Sequence, residues 1–364
     1  MKNTEKIYDL QPLIKKIVRL IDLPPLTFGY VVAPESWYKP DQLVDFAILA
    51  EKRGFEMIGV CDHFHPWVHT NANCGFAWVI IPAIAERTKK VRVGTFVTAP
   101  TLRYNPAVVA QAFATLGTLY LNRIFLSLGT GEAVSEIPVG CEWPEFRERI
   151  QRLEEAITII KALWSSDVVN FKGEFYRLKK ATLYTRPKKP IPLYVSASGK
   201  TTTKLAGKYA DGFATIETSL EKCKFLLSIL EKSAKEAGRN PGLIEKIIEL
   251  HVSYDEDYDK AVESCKYWRA PLLPVVFKYP IYDPREIEEY GNLVGKKAMT
   301  ENMIISNSPE EHIKKIEKYI RAGFTTFQFL SSSPREEKFT RVYGEKVLPY
   351  LKETYGGLYQ QRTN

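Results

Sequence analysis

The chain has 364 residues, 45% hydrophobic and 26% charged, which is typical of a globular protein and excludes a disordered or fibrous chain. Its 51 Lys and Arg against 43 Asp and Glu give a net charge of +8, but both signs are mixed along the chain and basic runs are no longer than pairs, so we predict no nucleic-acid partner. No apolar stretch is long enough to span a bilayer and the polar start MKNTEKIYDL does not resemble a signal peptide, so we predict a cytoplasmic protein without a membrane partner.

Strands and helices alternate along almost the whole chain. Hydrophobic patterning predicts eight strands, at residues 26–33, 57–62, 91–98, 124–128, 193–197, 212–216, 247–254 and 325–330. Helices are predicted between and after them, at residues 41–53, 76–89, 106–120, 144–164, 201–209, 220–237, 259–267 and 309–322, with a last helix to about 353. Residues 169–176 read as a β-hairpin, and a Pro-rich stretch at 270–284 interrupts the alternation.

This alternation predicts the α/β class. Eight strand-helix units favour a (β/α)8 TIM barrel, and a doubly wound sheet is the alternative because strand order cannot be read from one sequence. We expect one barrel domain over residues 26–355, with inserted segments near 169–184 and 270–308. Residues 1–25 form an N-terminal extension that could be a surface helix.

The active site of such a barrel is built from the loops that follow the strands. Three of the five histidines, His63, His65 and His69, lie in the loop after the second strand. A metal site of the amidohydrolase type is one interpretation, but it needs histidines on later strands, and only His251 stands on one. The five cysteines form no CxxC pair, so we predict no metal centre.

Carboxylates follow two other strands. Glu132 comes after the Gly129-Thr130-Gly131 turn, and Glu35 lies just past the first strand. A histidine beside a carboxylic acid can move the two protons that accompany a hydride or carbanion step, so His63 and Glu132 are the predicted acid/base pair. Ser198 and Gly199, before the helix at 201, offer N–H groups that suit an anion.

The chain lacks the motifs of several large enzyme classes. No GxGxxG follows the first strand, and GxxxxGK[ST], GxSxG and HExxH do not occur. This speaks against a Rossmann dinucleotide site, a P-loop, a serine hydrolase and a zinc protease. A flavin-like cofactor, an aldolase-type lysine and simple acid/base chemistry stay open.

Five stretches together resemble the coenzyme F420 (deazaflavin) dependent branch of the bacterial-luciferase-like barrels, and most closely the F420-dependent glucose-6-phosphate dehydrogenases. They are DHFHPW at 62–67, TLRYNPAVVAQAFAT at 101–115, GTGEA at 129–133, WPEF at 143–146 and ADGF at 210–213. The resemblance runs from about residue 27 to 350. It implies a luciferase-like barrel with inserted segments, a homodimer, and a small-molecule substrate oxidised by hydride transfer to F420.

The resemblance also implies roles for individual residues. His63 and Glu132 become the proton-transfer pair, and Trp67 stabilises the ring-side intermediate. The cofactor contacts it implies are Asp62, Phe96, Val97, Ala99, Gly129, Thr130, Ser135, Ser198, Gly199, Thr201 and Thr202. The Phe96-Val97 bond matches a cis peptide of that family. Since F420 carries a phosphate and an oligoglutamate tail, the positive net charge is consistent with it.

The implied substrate contacts are Glu35, Ile216, Lys278 and Asn302. Relatives acting on glucose 6-phosphate hold the phosphate with two lysines and an arginine, yet here only Lys278 matches, and Asn302 occupies the arginine position. Glucose 6-phosphate is our first prediction, and a secondary alcohol or methylene-tetrahydromethanopterin are alternatives. A non-catalytic flavin or deazaflavin carrier and a metal-dependent hydrolase are the alternatives of other classes.

Overall fold

The computed structural model describes residues 26–356 and contains a closed barrel of eight parallel strands. Each strand pairs in parallel with its neighbours, and the barrel closes where the strand at 212–216 pairs with the strand at 245–254. The (β/α)8 prediction is therefore confirmed, and the doubly wound alternative is wrong because an open sheet has two unpaired edges. The predicted N-terminal extension, residues 1–25, lies outside the described residues.

The strands of the barrel begin and end within two residues of the predicted positions. They are β1 (Thr27–Val32), β2 (Met57–Val60), β3 (Arg92–Thr98), β4 (Ile124–Leu128), β7 (Leu193–Ser196), β8 (Gly212–Ile216), β9 (Glu245–Tyr254) and β11 (Thr326–Ser331). Three short strands lie outside the ring: β5 (Val169–Lys172), β6 (Arg177–Ala181) and β10 (Ile304–Ser306).

Helices cover the outside of the barrel and its carboxyl-terminal end. They are α1 (Pro40–Lys52), α2 (Ala77–Arg87), α3 (Pro106–Leu119), α4 (Ala133–Glu136), α5 (Phe146–Ser165), α6 (Lys200–Tyr209), α7 (Leu220–Glu236), α8 (Tyr258–Ser264), α9 (Val275–Lys278), α10 (Pro284–Asn292), α11 (Lys296–Asn302), α12 (Pro309–Ala322), α13 (Glu336–Val342) and α14 (Leu348–Gly356). Local chemistry sets several ends: the Ser308 hydroxyl accepts from Glu311 N–H at the start of α12, and Gly323 ends it at φ +108°.

Two segments depart from simple alternation. A hairpin is present, but the predicted range 169–176 covers only its first strand and its turn, and the second strand, β6, lies beyond that range. The Pro-rich stretch is not a bare loop: it contains α9, and α10, α11 and β10 follow before α12. Strand β10 was not predicted, because three residues are too few to show a pattern, and it pairs with the end of β9 beyond β11.

Two apolar layers build the core. Ile248, Leu250 and their neighbours fill the space between the sheet and the helices, whereas Ile247 and Tyr194 belong to the cluster inside the barrel. At the amino-terminal end, Arg92 binds Glu245 through two nitrogens, at 2.9 and 3.1 Å. This ion pair closes the amino-terminal end of the barrel, which we call the barrel floor. In barrels of this type the active site lies at the opposite, carboxyl-terminal end.

Candidate active site

His63 lies at the centre of the barrel mouth, in the loop after β2. Its Nδ1 is 3.4 Å from Glu132 Oε2 and 3.3 Å from the Ser135 hydroxyl, and its Nε2 is 3.6 Å from Glu35 Oε1. Ser135 also accepts a hydrogen bond from the N–H of Phe64 at 3.2 Å. The structure therefore brings the predicted acid/base pair together and places a carboxyl group on each side of the imidazole.

Burial sets the protonation of these groups. It lowers the pKa of His63 to about 3 and raises that of Glu132 to about 7 and that of Glu35 to about 8. The Glu132 side chain is 37% exposed, so it reaches the opening of the mouth while its carboxyl contacts His63. Just below neutral pH the His63 imidazole is therefore neutral, and the Glu132 and Glu35 carboxyl groups on either side of it are protonated. The imidazole can accept a proton, and each neighbouring acid can donate one.

A third carboxyl group, Glu249, faces the same space. Side chains alternate along β9, and since Ile247 is inside the barrel while Ile248 and Leu250 pack outside, Glu249 points inward. Burial, together with the charge of Glu132, raises the pKa of Glu249 to about 7. The sequence prediction missed this residue because a single glutamate on an apolar strand gives no motif.

Trp67 forms the apolar side of the mouth. Its ring meets the His63 imidazole edge to face, with centroids 5.5 Å apart, and it packs against Phe277 of α9 at 5.2 Å. On the same face, the Tyr267 hydroxyl donates to the Glu35 carbonyl at 3.1 Å. Aromatic side chains from the segment after β9 therefore contact both the loop of His63 and the loop of Glu35.

Asp62 is fully engaged by protein groups. Its Oδ2 accepts from the Thr98 hydroxyl at 2.7 Å and its Oδ1 from the Tyr104 hydroxyl at 3.0 Å, and Arg103 lies 3.1 Å from Oδ1. These bonds fix the start of the loop that carries His63. A cofactor contact of Asp62 or Ser135 stays a prediction, since both side chains here support the histidine.

One wall of the mouth is made by the ends of β3 and β4. The Phe96-Val97 peptide is cis, as the resemblance implied. Gly129 lies against Val97, since a Cβ on Gly129 would be 2.9 Å from a Val97 methyl group. Gly131 lies equally close to the next part of β3's loop, since a Cβ on Gly131 would be 3.3 Å from the Ala99 methyl group. The two loops are closely packed, so Thr130 and its neighbours form a firm surface beside Glu132.

The first turn of α6 offers a second surface. Gly199 is its N-cap, and a side chain there would meet no atom within 4 Å. Ser198 and Thr201 are exposed beside it, whereas Thr202 is buried. The free N–H groups of a helix start bind anions, so these residues fit a phosphate.

Of the four predicted substrate residues, Glu35 lies beside His63 and the other three stand on separate elements. Ile216 is 50% exposed at the end of β8, and Lys278 is exposed in α9, with its Nζ 5.3 Å from the Tyr279 ring centre. The amide of Asn302 donates to the Ala298 carbonyl of its own helix at 2.8 Å. Lys278 has no carboxylate within ion-pair distance among residues 26–356, so its charge is available to a substrate.

The structure also shows what sequence reasoning overlooked. Arg103 and Glu136 form a buried ion pair at 2.8 Å directly behind His63 and Glu132. Arg103 lies in one of the stretches that carried the family resemblance, and Glu136 follows another. Their positions in the sequence do not indicate that the two side chains form an ion pair. His251, set apart as a solitary histidine, binds the Ser332 hydroxyl and lies edge to face against Trp268.

A cavity of about 540 Å³ opens beside His63. It is lined by Phe64, Cys74, Phe76, Leu102, Arg103, Tyr104, Val139 and Cys141. A second cavity, of about 410 Å³, lies at the barrel floor, where Arg92, Tyr194 and Glu245 bond to one another. Only the first contains part of the acid/base cluster, so we assign chemistry to the carboxyl-terminal end.

Neither a metal-binding cluster nor a membrane-spanning helix occurs among residues 26–356. Between residues 26 and 356, no three His, Cys, Asp or Glu side chains are grouped so as to hold a metal ion. In the same range, none of the helices combines the length and the apolar character that crossing a bilayer requires.

Comparison with known proteins gives a consistent result. Residues 26–326 match the family model of the luciferase-like monooxygenases. An F420-dependent glucose-6-phosphate dehydrogenase of Microbacterium testaceum is 39% identical over 336 residues, 91% of this chain and 99% of the relative. Its namesake of Nakamurella multipartita is 38% identical over 335 residues, 92% of this chain and 98% of the relative.

Solved structures agree. An F420-dependent secondary alcohol dehydrogenase in complex with an F420-acetone adduct has a TM-score of 0.87 and 40% identity, covering 90% of this chain and 99% of its own. The coenzyme F420 dependent tetrahydromethanopterin reductase of Methanopyrus kandleri has a TM-score of 0.76 with 24% identity, over 90% of this chain and 99% of its own, and supports the fold alone.

Proposed function

The chain belongs to the luciferase-like monooxygenase family, and from this premise we propose that it is an F420-dependent dehydrogenase acting on a CH–OH group. The observation that carries the proposal is the His63–Glu132 contact at 3.4 Å in the mouth of the barrel. The family resemblance inferred from the sequence is confirmed by relatives that are 38 and 39% identical over almost their whole length.

The chain's own residues fit the cofactor. At the substrate end, Glu35 Oε2 is buried and has no hydrogen-bond partner among the described residues, which indicates a polar group that a substrate beside the cofactor would satisfy. The start of α6, with Ser198, Gly199 and Thr201, suits the phosphate of F420, and the wall of Val97 and Gly129 suits its ring. When bound, F420 supplies the acceptor for a hydride.

We assign the two proton transfers of the reaction to different side chains. The neutral imidazole of His63 accepts the hydroxyl proton of the substrate as the adjacent carbon loses its hydride, so that an alcohol becomes a carbonyl compound. Glu132, protonated below its raised pKa of about 7, holds a proton for the cofactor side. Trp67 and Phe277 exclude water from one side of the reacting carbon.

Glucose 6-phosphate is the first substrate we propose, because the relatives bear that activity in their names and Lys278 is available for a phosphate. A secondary alcohol is the second candidate. It is favoured by Asn302, whose amide is neutral and already bonded within its own helix, and by the exposed apolar side chain of Ile216.

An anaerobic assay that follows the bleaching of oxidised F420 tests the activity and separates these substrates. Glucose 6-phosphate, other sugar phosphates and short secondary alcohols are offered in parallel, with FMN and NADP as control cofactors. Lys278→Ala should raise KM about tenfold or more for a sugar phosphate and leave an uncharged alcohol unaffected. An equal effect on both would exclude the phosphate contact.

The proposal includes a cytoplasmic homodimer. Apolar side chains on the outer faces of α2 and α3, among them Val79, Val108 and Leu119, are exposed in the single chain and would be covered by a second copy. The five cysteines are free, as expected in a reducing compartment. Light scattering of the purified protein should give about twice the chain mass, and a monomer would contradict the dimer.

A further inference from the structure

We propose that Arg103 is a positioning residue of the active site, which locks the loops of His63 and Glu132 together. The inference rests on the proposed function, because it assigns these two residues the proton transfers. Arg103 itself touches neither reacting group in the described structure. It acts through the residues on either side of them.

The geometry of Arg103 joins three loops of the barrel mouth. Its side chain, only 8% exposed, extends from the loop after β3 between the loops after β2 and β4. One end of the guanidinium donates to the Asp62 carbonyl oxygen at 2.5 Å and lies 3.1 Å from the Asp62 carboxylate. Asp62 immediately precedes His63, so this contact fixes the backbone from which the histidine projects.

The other end of the guanidinium holds the loop after β4. It binds Glu136 Oε1 at 2.8 Å, and the backbone N–H of Arg103 donates to Glu136 Oε2 at 2.9 Å. Glu136 lies in the short helix α4, one turn after Glu132. Arg103 thus binds a neighbour of each catalytic residue, and a planar, two-ended cation is the group that can hold two carboxylates at a fixed separation.

The charge of Arg103 has a separate consequence. A buried cation opposes a second positive charge, so it lowers the pKa of His63 beyond the effect of burial, and it also lowers the pKa of Glu132. The other titratable or charged groups that face this pair come from five parts of the fold: Glu35 after β1, Cys74 in the His63 loop, Glu136 in α4, Arg149 in α5 and Glu249 in β9. Of the two arginines, only Arg103 bridges the loops.

Two substitutions separate the bridge from the charge. Arg103→Lys keeps the charge but cannot bind two carboxylates at once, whereas Arg103→Met removes both. Arg92→Lys is the matched control, since Arg92 is a half-buried arginine that also binds a carboxylate through two nitrogens, but at the amino-terminal end of the barrel. All variants are compared at equal folded fraction, measured by thermal unfolding.

The first readout is the imidazole of His63, observed by NMR of the protein labelled at histidine, with His63→Gln for assignment. This readout does not depend on turnover, so it can fail independently of the proposed function. We expect His63 to stay neutral from pH 5 to 9 in the wild type, Arg103→Lys and Arg92→Lys. At pH 7 the ring-nitrogen shifts of His63 should differ from the wild type in Arg103→Met and match it in Arg92→Lys, because only the first variant releases the loop that carries the imidazole. His63 ring-nitrogen shifts in Arg103→Met equal to those of the wild type would overturn the positioning role.

The second readout is turnover of F420 together with its dissociation constant. Arg103→Lys should lower kcat at least tenfold while the Kd for F420 changes by less than about threefold, and Arg92→Lys should leave kcat near the wild-type value. Full activity of Arg103→Lys would overturn the bridging role. If Arg103→Met does not fold, the activity of Arg103→Lys still tests whether Arg103 bridges the two loops, and Arg103→Gln replaces Arg103→Met in the NMR experiment.

Discussion

At the scale of single residues, the site depends on where three carboxyl groups stand around one imidazole. His63 has Glu132 on its Nδ1 side and Glu35 on its Nε2 side, and Glu249 faces the same space from β9. Because burial makes ionisation costly, these groups share protons near neutral pH instead of forming ion pairs. That property suits a reaction in which a proton leaves the substrate and another goes to the cofactor.

Removing either member of the pair should separate chemistry from binding. We expect His63→Ala and Glu132→Gln each to lower kcat about 100-fold or more, while the Kd for F420 changes by less than a few-fold. Steady-state kinetics and fluorescence titration with F420 measure the two quantities. Normal turnover of either variant would show that the residue moves no proton.

The pH dependence follows from the raised pKa of Glu132. Since its acid form is the one that donates, alcohol oxidation should be present below pH 7 and fall as the pH rises through about 7. The protonation state of His63 does not change between pH 5 and 9, because its imidazole stays neutral down to about pH 3. His63 therefore adds no pH dependence of its own to the rate. A profile of kcat between pH 5 and 9 measures this, and in Glu132→Gln the low remaining rate should no longer fall above pH 7. A wild-type rate that increases through pH 7 would contradict the assignment.

At the scale of elements, the segment between β9 and β10 holds the loop of His63 in place. Glu288 of α10 accepts from the N–H groups of His69 and Thr70, each at 3.0 Å, and Phe277 of α9 packs on Trp67. The sequence showed this segment only as a Pro-rich interruption. Its short helices have too few turns for a periodic pattern, so their role became visible only with the tertiary contacts.

Loss of the Glu288 carboxylate should loosen that loop. We expect Glu288→Ala to raise the rate of chymotrypsin cleavage at Phe64 or Trp67 several-fold and to lower kcat/KM about three- to tenfold. The neighbouring exposed Glu289 provides the matched control, Glu289→Ala, which should change neither quantity. Equal cleavage of the two variants would mean that Glu288 does not hold the loop.

At the scale of the whole molecule, the barrel could be predicted because eight strand-helix units leave few ways to pair. The relation between His63 and Glu132 could also be predicted, since both follow barrel strands. The buried groups Arg103, Glu136 and Glu249 could not, because what makes them important is which loops they join, and a single sequence does not show contacts between distant loops.

Stability should depend on pH through the same buried acids. In the folded chain Glu35 keeps its proton up to about pH 8, whereas in the unfolded chain it ionises near pH 4.5, so the folded state binds more protons between these values. The free energy of unfolding therefore falls by roughly 1.4 kcal/mol per pH unit across that window. Glu35→Gln should be more stable than the wild type at pH 8 and equal to it near pH 4.

Denaturant titrations at the two pH values measure this difference. Glu51→Gln is the control, and it should change the free energy of unfolding at pH 8 in the opposite direction. Glu51 accepts from the backbone N–H groups of Lys89, Lys90 and Val91, which lower its pKa, so its loss should destabilise the protein at pH 8. A Glu35→Gln variant that is less stable than the wild type at pH 8 would show that Glu35 is ionised in the fold.

The most direct measurement of the proposed reaction is an anaerobic single turnover with a deuterated substrate. Glucose 6-phosphate carrying deuterium at C1, or 2-propanol carrying it at C2, is mixed with the protein and oxidised F420, and the reduced cofactor is examined by mass spectrometry. We expect one deuterium in the reduced F420 with at least one of the two substrates, and none with His63→Ala within the same time. Reduced F420 without deuterium, or no reduction with either substrate, would contradict hydride transfer at this site.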